Sequence, residues 1–423
     1  IVPRHVLGRG YRAPSDTLNI ACIGVGGMGY SDVQGVAIEN IAYLCDVDDK
    51  SAERAFLKWP RAKRYRDYRQ MFDREASSFD AVTITTPDHA HAAIAMMALK
   101  AGKHVYCQKP LARTVGEVRA LKAESARRPK QSTQMGNQGH AMDSTRILRE
   151  WIESGVIGTV QRVEFWTNRP IWPQGINRPT EMHNVPPTLD WNLWLGPAAE
   201  RPYHPSYAPF NWRGWWDFGT GAMGDMACHI MDASFWILDL KFPSRVIPES
   251  TPLFSETAPK GSRITYEFPA RGNRPPVTLV WRDGSIFPPR PDDWGLERAW
   301  PHDPEGGQLW IGTKGTLVAG TYGADPQLSD PVKNAELMSK PLPPKYPRTP
   351  GVYKEWIDAI KAGTQPGSNF VGHAGPLTEM IALGNLAVRS GRTIDLDPES
   401  GVLKTANIPS EWVTPTYRSG WSL

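Results

Sequence analysis

A glycine-rich turn close to the start of this 423-residue chain limits its fold more than any other feature. An apolar run of strand length, residues 18–23, is followed at once by Gly24, Gly26 and Gly29. Glycines at this spacing between a strand and a helix are typical of a dinucleotide-binding turn. The first permits the tight turn, the second lets the backbone approach a pyrophosphate, and the third lets the helix pack closely. The helix N-terminus then offers free N–H groups to the phosphates, so we expect dinucleotide binding rather than a purely structural turn.

Predicted strands and helices alternate along residues 17–140. We predict strands at 41–45, 81–85, 104–107 and 132–135, and helices up to about residue 38, over 92–99 and from the capping box of Thr114 and Glu117. This alternation predicts an α/β fold with a doubly wound parallel sheet. Its ligand should lie beyond the carboxyl ends of the strands, where Thr86, Lys109 and Asn137 are placed.

Asp46 ends the second predicted strand and favours one of the two nicotinamide dinucleotides. A carboxylate at this tip accepts hydrogen bonds from the adenosine ribose hydroxyls and repels a 2′-phosphate. No arginine follows Asp46 directly, so the sequence favours NAD over NADP. The same residues are compatible with a helix N-cap formed by Asp46 or Asp48.

The pattern changes after about residue 143. A helix over 143–153 is followed by alternating strands at 160–166, 263–268, 277–281 and 309–318, separated by loops rich in proline and tryptophan, and by helices near 352–362 and 375–390. This pattern predicts a second α/β domain with a large, mostly antiparallel open sheet. We therefore divide the chain into an arm (1–16), a nucleotide-binding domain (17–140) and a second domain with C-terminal helices and tail (141–423).

Composition argues against several classes of protein. The formal net charge of +4 is small for this length and no block of Lys and Arg stands out, so nothing favours nucleic-acid binding. No run of about 18 apolar residues exists, so we expect a soluble protein without a membrane span. The four cysteines show no C-x-x-C spacing, which argues against a zinc site or a redox pair.

Tryptophan is unusually frequent, with 17 in the chain, of which seven lie between residues 166 and 216. One interpretation is a large aromatic core or subunit interface. The other is a sugar site, because flat apolar faces suit C–H-rich rings and the indole N–H adds a donor.

Two groups of residues could carry chemistry. Lys109 ends the fourth strand, and Pro110 favours an extended backbone that directs it to the ligand edge of the sheet. Asp225 and His229 are four residues apart and share a face if they lie on a helix. A histidine can take a hydroxyl proton at neutral pH, and a nearby carboxylate can fix its tautomer. The alternative for Lys109 is a surface lysine in a turn, and the alternative for Asp225 and His229 is an ordinary pair on a helix face. A metal ion shared by Asp225 and His229 ranks lower, because no third ligand is evident.

The chain resembles the glucose–fructose oxidoreductase/inositol dehydrogenase/MocA-type family along nearly its whole length. The motifs that carry this resemblance are the glycine turn, Thr86-Pro87-Asp88-His89-Ala90-His91, Gly102-Lys103-His104-Val105, Gln108-Lys109-Pro110, Asp225-x-x-x-His229 and the turn at 312–317. The resemblance implies an NAD-binding Rossmann domain, a substrate-binding and oligomerisation domain, and a homo-oligomer, a dimer or tetramer formed through the C-terminal sheet. It also implies oxidation or reduction of a ring CH–OH of a sugar or cyclitol.

The resemblance also assigns roles to residues. The catalytic residues would be Lys109, Asp225 and His229. The cofactor-binding residues would be Gly24, Gly26, Gly27, Met28, Gly29, Asp46, Thr86, Pro87, His91, Gln108, Lys109 and Asn137. The substrate would contact Lys109, Gln138, His140, His183, Arg213, Trp215, Asp225 and His229, with no metal. One departure stands out, because the family usually has Glu-Lys-Pro where this chain has Gln108, and a carboxylate that would favour a charged Lys109 is lost.

The leading hypothesis is an NAD-dependent dehydrogenase that acts on a secondary hydroxyl of a sugar or glycoside, with His229 as base. The alternatives are a redox-neutral enzyme that retains NAD and works through a transient 3-keto sugar, and a non-catalytic sugar or NAD sensor. Residues 2–8 and 135–140 are similar to a subgroup whose members often carry a twin-arginine export signal just upstream. That similarity implies export to the periplasm; without it we expect a cytoplasmic protein.

Overall fold

The computed structural model describes residues 16–295, 297, 303 and 305–423, and places them around two β-sheets. The expected arm, residues 1–16, lies almost entirely outside the described residues. No helix in these described ranges has both the length and the apolar character that crossing a membrane requires.

The first sheet has six parallel strands in the order β3-β2-β1-β4-β5-β6. The strands are β1 (Asn19–Ile23), β2 (Asn40–Cys45), β3 (Lys63–Tyr65), β4 (Ala81–Ile84), β5 (His104–Cys107) and β6 (Thr133–Met135). The order reverses between β1 and β4, which is the position where doubly wound sheets bind their ligands. The predicted parallel sheet is therefore confirmed.

Helices connect these strands. They are α1 (Met28–Val36), α2 (Asp49–Lys58), α3 (Tyr68–Glu75), α4 (Asp88–Lys100) and α5 (Val115–Ala126). The predicted capping box of Thr114 and Glu117 is confirmed at the start of α5. Sequence reasoning did not predict β3 or α3, and it anticipated α2 only as a helix that Asp46 or Asp48 could cap. The strand β3 is short, with two of its three residues exposed, so it carries almost no apolar signal.

The second sheet has eight strands in the order β13-β12-β11-β7-β10-β9-β8-β14. They are β7 (Val160–Thr167), β8 (Arg245–Ser250), β9 (Ser262–Phe268), β10 (Val277–Arg282), β11 (Gly306–Gly312), β12 (Gly315–Gly320), β13 (Gln327–Leu328) and β14 (Ile394–Asp395). Only the pair of β10 and β7 is parallel within this described sheet, so the mostly antiparallel prediction is confirmed. The predicted single strand at 309–318 is wrong, because the chain turns between Gly312 and Gly315 and forms the hairpin of β11 and β12.

The remaining helices cover the inner face of this sheet and parts of the first domain. They are α6 (Asp143–Glu153), α7 (Trp191–Leu195), α8 (Gly221–Ile230), α9 (Asp232–Ile237), α10 (Pro331–Ser339), α11 (Val352–Ala362), α12 (Gly375–Ser390) and α13 (Ser410–Val413). Trp356 and Ile357 of helix α11 belong to the same buried cluster as Ile20 and Leu44 of the first sheet. The C-terminal part of the chain therefore contributes to the core of the nucleotide-binding domain.

The tryptophans between residues 166 and 216 are mostly core residues. Six of the seven are buried, and only Trp191 is partly exposed. Trp166 packs with Trp294 beside the second sheet, and Trp194, Trp212 and Trp215 form a separate aromatic cluster. Burial of these large rings supports the interpretation of an aromatic core.

Candidate functional site

The glycine turn between β1 and α1 is shaped by close backbone contacts. Gly24 has a φ of 75°, and a Cβ at Gly24 would lie 2.5 Å from the carbonyl oxygen of Thr85. A Cβ at Gly29 would lie 2.0 Å from the carbonyl oxygen of Gly24, so a side chain would prevent the helix from starting this close to the strand. No atom lies within 4 Å of a Cβ built at Gly27, which leaves open space beside the helix N-terminus. These features fit the diphosphate of a dinucleotide.

Asp46 lies beside the glycine turn at the end of β2. Its Oδ2 accepts hydrogen bonds from the backbone N–H groups of Val25, at 2.8 Å, and Gly26, at 3.3 Å. Its Oδ1 accepts from the N–H of Asp48 at 3.0 Å. Burial raises the pKa of Asp46, and these hydrogen bonds act in the opposite direction. The carboxylate therefore holds the turn at the position expected for a ribose-binding acid, while Asp48 caps α2.

Thr86, Pro87 and His91 occupy the loop after β4 and the first turn of α4. The Thr86 hydroxyl is buried and has no hydrogen-bond partner among the described residues, which leaves a polar group for a ligand. The two ring nitrogens of His91 lie 2.8 Å from the carbonyl oxygens of Thr86 and Pro110. His91 therefore joins this loop to the loop that carries Lys109. His89 and His91 both lie in the first turn of α4, which begins four residues before the predicted helix over 92–99.

Gln108 is buried and is bound within the protein. Its Nε2 donates to both carboxylate oxygens of Asp32 at 3.1 Å, and its Oε1 accepts from the N–H of Lys109 at 3.1 Å. Asp32 also accepts from the hydroxyls of Thr85 and Tyr353 at 2.6 and 2.8 Å. Burial raises the pKa of Asp32, and these hydrogen bonds oppose the rise. The glutamine side chain thus bonds a buried acid and the backbone of Lys109.

Lys109 and Asp225 form an ion pair at the carboxyl edge of the first sheet. The Lys109 Nζ donates to Asp225 Oδ1 at 2.9 Å and to the Asp225 carbonyl oxygen at 2.6 Å. The Arg213 Nε lies 3.4 Å from the same Oδ1. Burial raises the pKa of Asp225, but the positive charges of Lys109 and Arg213 outweigh burial and hold the pKa below its ordinary value. The structure therefore joins the predicted lysine and aspartate across 116 residues of sequence.

His229 lies one turn after Asp225 on α8, as the spacing of four residues predicts. Its imidazole is buried, its ring packs edge-on against Tyr322, and its Nδ1 has no hydrogen-bond partner among the described residues. Burial lowers the pKa of His229 to about 3, and the nearby positive charge of Lys109 acts in the same direction. The imidazole is consequently neutral at physiological pH and can accept a proton.

Asn137 and His140 belong to a buried network centred on Asp232. The carboxylate of Asp232 accepts from Asn137 Nδ2 at 2.8 Å, from His140 Nδ1 at 3.0 Å and from His373 Nε2 at 2.6 Å. Ser368 in turn donates to Asn137 Oδ1 at 2.6 Å. His140, Asp232 and His373 each have an atom that could bind a metal ion, and these atoms lie within 4.8 Å of one another. The hydrogen bonds to Asp232 account for this closeness without a metal. The Nδ1 atom of His140 is therefore hydrogen-bonded to Asp232 and is not available to a substrate.

The other expected substrate residues are placed differently. Arg213 contacts the site through Asp225, and Gln138 donates to the Tyr322 hydroxyl at 3.3 Å. Trp215 is fully buried, and its indole N–H donates to the Ser206 carbonyl at 2.8 Å. His183 is exposed and meets the ring of His204 edge-on. In the described part of the chain, no hydrogen bond or ion pair joins His183 or Trp215 to the Lys109 group.

Sequence reasoning missed four residues that support the site: Asp32, Tyr353, Asp232 and His373. A signal was present for Asp32, because a charged residue on the otherwise apolar buried face of α1 is unusual. His373 lies in a π-helix (Phe370–Ala374) before α12, and no sequence pattern marked that turn.

Two models of one protein family match the chain in succession. The first, described as an oxidoreductase family with an NAD-binding Rossmann fold, matches residues 18–136. The second, the C-terminal alpha/beta domain of the same oxidoreductase family, matches residues 144–272. Together they cover more than half of the chain.

Individual relatives match more weakly. An inositol 2-dehydrogenase of Salmonella paratyphi B is 30% identical over 148 residues, which are 34% of this chain and 43% of that protein. A levoglucosan dehydrogenase of Pseudarthrobacter phenanthrenivorans is 28% identical over 173 residues, 41% of this chain and 36% of that protein. These alignments span less than half the length of the relatives.

Solved structures match over a longer range. The WlbA dehydrogenase of Bordetella pertussis, solved with NADH and UDP-GlcNAcA, has a TM-score of 0.63 at 16% identity, covering 90% of this chain and 98% of that one. At this identity the likeness shows the fold alone. With both domains matched by its models and the same two-domain fold, the chain belongs to the Gfo/Idh/MocA oxidoreductase family and has its NAD-binding Rossmann domain.

Proposed function

We propose that this protein is an NAD-dependent dehydrogenase that oxidises a secondary ring hydroxyl of a sugar or glycoside. The observation that carries the proposal is a neutral, buried imidazole one helical turn from a lysine–aspartate ion pair, at the carboxyl edge of the nucleotide-binding sheet. The names of the relatives, which include inositol and levoglucosan dehydrogenases, support a polyol or sugar substrate.

Residues of the first domain would bind NAD, and His229 of the second domain would transfer the proton. NAD, when bound, supplies the acceptor for hydride from the ring carbon. The glycine turn and Asp46 would hold its diphosphate and ribose, and the unpartnered Thr86 hydroxyl would meet it at the sheet edge. His229 takes the proton of the substrate hydroxyl, because burial, together with the positive charge of Lys109, keeps the imidazole neutral before the reaction.

Lys109 acts on the oxygen of the same substrate hydroxyl, and Asp225 positions Lys109. The Lys109 ammonium donates two hydrogen bonds to Asp225 and has a third proton available for a substrate oxygen. Its charge stabilises the negative charge that develops on that oxygen as the proton leaves. Asp225 holds the ammonium in place, and Arg213 restrains Asp225 through the same carboxylate oxygen.

The test is NADH formation from a panel of sugars, glycosides and cyclitols, using the purified full chain. We expect NADH to accumulate with at least one of them, and Lys109→Ala and His229→Ala each to lower kcat/KM by about 100-fold or more. Lys333→Ala, on the exposed face of α10, is the control and should retain activity.

Other results would contradict the proposal in distinguishable ways. Cleavage or epimerisation of a glycoside with retained NAD and no NADH release would indicate a redox-neutral enzyme. Ligand binding without turnover across the panel would indicate a sensor. Wild-type rates in both variants would remove the roles assigned to Lys109 and His229.

A further inference from the structure

A small cavity lies at the junction of the two domains, beside the loop that follows Lys109. It is partly open to solvent and has a volume of about 30 Å³, roughly the space of two or three water molecules. It is bounded by Arg113 and Thr114 of this loop, the start of α8, helix α12 and the tail around Trp412. None of its lining residues belongs to the glycine turn or to the group of Lys109, Asp225 and His229.

Two arginines line this cavity without a carboxylate partner. Arg113 donates through Nη1 to the Trp216 carbonyl oxygen, and its Nε is buried with no partner. The Arg389 guanidinium lies 4.6 Å from the Trp412 ring centroid and 5.7 Å from that of Trp216, and its Nε is also buried with no partner. Among the described residues, neither arginine is within ion-pair distance of an Asp or Glu. Several N–H donors of the two forks are therefore free to meet a ligand.

The charge in the cavity is unbalanced. Burial and the nearby positive charge of Arg113 together lower the pKa of Arg389 to about 10, whereas the negative charges of Asp217 and Glu411 act in the opposite direction. Asp217 is itself paired with Arg201, and Glu411 is exposed to solvent. Two positive charges that share a partly enclosed space repel each other unless an anion lies between them.

We propose that this cavity binds a phosphate group, held between Arg113 of the first domain and Arg389 of the second. A dianion neutralises both guanidiniums, which a single carboxylate does not, and guanidinium forks match the oxygens of a phosphate. Trp216 and Trp412 also line this space, and because the cavity is partly open, an organic group attached to the phosphate would extend out of it toward solvent. Because the ligand touches both domains, it holds the Lys109 loop against α12.

Calorimetric titration of the purified full chain tests this site without reference to turnover. Inorganic phosphate and glucose 6-phosphate are titrated separately at constant ionic strength, with chloride as the reference salt. We expect saturable binding with at least one of them, and a loss of affinity of about tenfold or more in Arg113→Gln and in Arg389→Gln. Arg127→Gln removes the same charge from the exposed end of α5 and should leave binding unchanged.

The two ligands distinguish the source of the phosphate group. Equal affinity for both indicates a site for the free ion, and tighter binding of glucose 6-phosphate indicates a phosphorylated metabolite. If either glutamine variant does not fold, Arg389→Lys replaces it in the test. This variant keeps the positive charge but loses the guanidinium fork, so it should bind phosphate more weakly than wild type. Absence of saturable binding to both ligands, or equal loss in Arg127→Gln, would overturn the proposal whether or not the protein forms NADH.

Discussion

At the scale of single residues, contact with Asp32 explains why this chain has Gln108 where the family usually has the glutamate of Glu-Lys-Pro. A glutamate at 108 would place a second carboxylate against the buried Asp32, and two buried acids in contact cannot both be charged without a large cost. The glutamine amide instead donates to Asp32 and accepts from the Lys109 N–H. The glutamine is therefore matched to an aspartate on α1 and positions the backbone of Lys109.

Gln108→Glu should therefore destabilise the protein although it restores the residue usual in the family. We expect the free energy of unfolding to fall by about 2–3 kcal/mol, the cost of an unsatisfied or repelled buried group. Urea unfolding near neutral pH measures this change. Asp32→Asn combined with Gln108→Glu exchanges the charge between the two positions and should recover most of the loss; an equally unstable double variant would argue against direct coupling.

The depressed pKa of His229 predicts an unusual pH profile. The pH dependence of kcat/KM reports the ionisation of groups in the free enzyme. Because the imidazole of His229 stays neutral until the pH approaches its pKa of about 3, kcat/KM should not fall near pH 6.5. We expect kcat/KM to be nearly flat between pH 8 and about pH 5. An acid limb with an apparent pKa between 6 and 7 that disappears in His229→Gln would show that the imidazole titrates normally.

The same group links stability to pH. The unfolded chain protonates this imidazole below its ordinary pKa near 6.5, whereas the folded chain resists protonation down to about 3. The free energy of unfolding should therefore fall as the pH drops below 6.5, by up to about 1.4 kcal/mol per pH unit for this group. His229→Gln should flatten the dependence measured by urea unfolding between pH 6.5 and 4.5; an unchanged slope would assign it to other groups.

At the scale of elements, the contact of α1 with α11 depends on the absence of a side chain at Gly35. A Cβ there would lie 2.4 Å from the ring of Tyr353, whose hydroxyl donates to Asp32. Gly35→Ala should thus destabilise by about 1–3 kcal/mol through overpacking, although this substitution usually stabilises a helix. In a Tyr353→Ala background the clash is removed, so Gly35→Ala should become neutral or stabilising in the same unfolding measurement. A destabilisation of equal size in both backgrounds would place its cause elsewhere.

Elements with strong local signals were predictable, and those without such signals were not. The helix over 143–153 and the strand at 104–107 have the predicted bounds, since apolar periodicity and turn residues mark both. The segment 309–318 was predicted as one strand although Gly312, Thr313, Lys314 and Gly315 interrupt its apolar residues, and the turn of the hairpin lies at these four residues. The helices α2 and α3 have predominantly polar exposed faces and contribute few residues to the core, so they gave little signal.

At the scale of the whole molecule, the site depends on contacts that no local pattern contains. The sequence indicated Lys109 and the pair of Asp225 and His229 separately. Their meeting across 116 residues follows from tertiary packing, in which α8 lies against β7 and β11 of the second sheet and places Asp225 beside the end of β5. Asp232 likewise joins Asn137 of the first domain to His373 near the C-terminus. Long-range contacts of this kind depend on tertiary packing, so sequence reasoning reached them only through the family resemblance.

The outer face of the second sheet is where we expect copies of this chain to associate. On this face Ile247 and Thr265, paired across β8 and β9, form a short uncharged row that is partly exposed and ends at Val280 of β10, which is fully buried. A flat row of this kind favours pairing with a second sheet face, and the family resemblance implies the same surface. We expect a dimer or tetramer by size-exclusion chromatography with light scattering, and Thr265→Arg, which places an unpaired charge in the row, should shift it toward monomer. Ser77→Arg, on an exposed turn of the first domain, adds the same charge and should leave the assembly intact. A monomeric wild type would contradict the association itself. A Thr265→Arg variant of unchanged mass would place the contact on another surface.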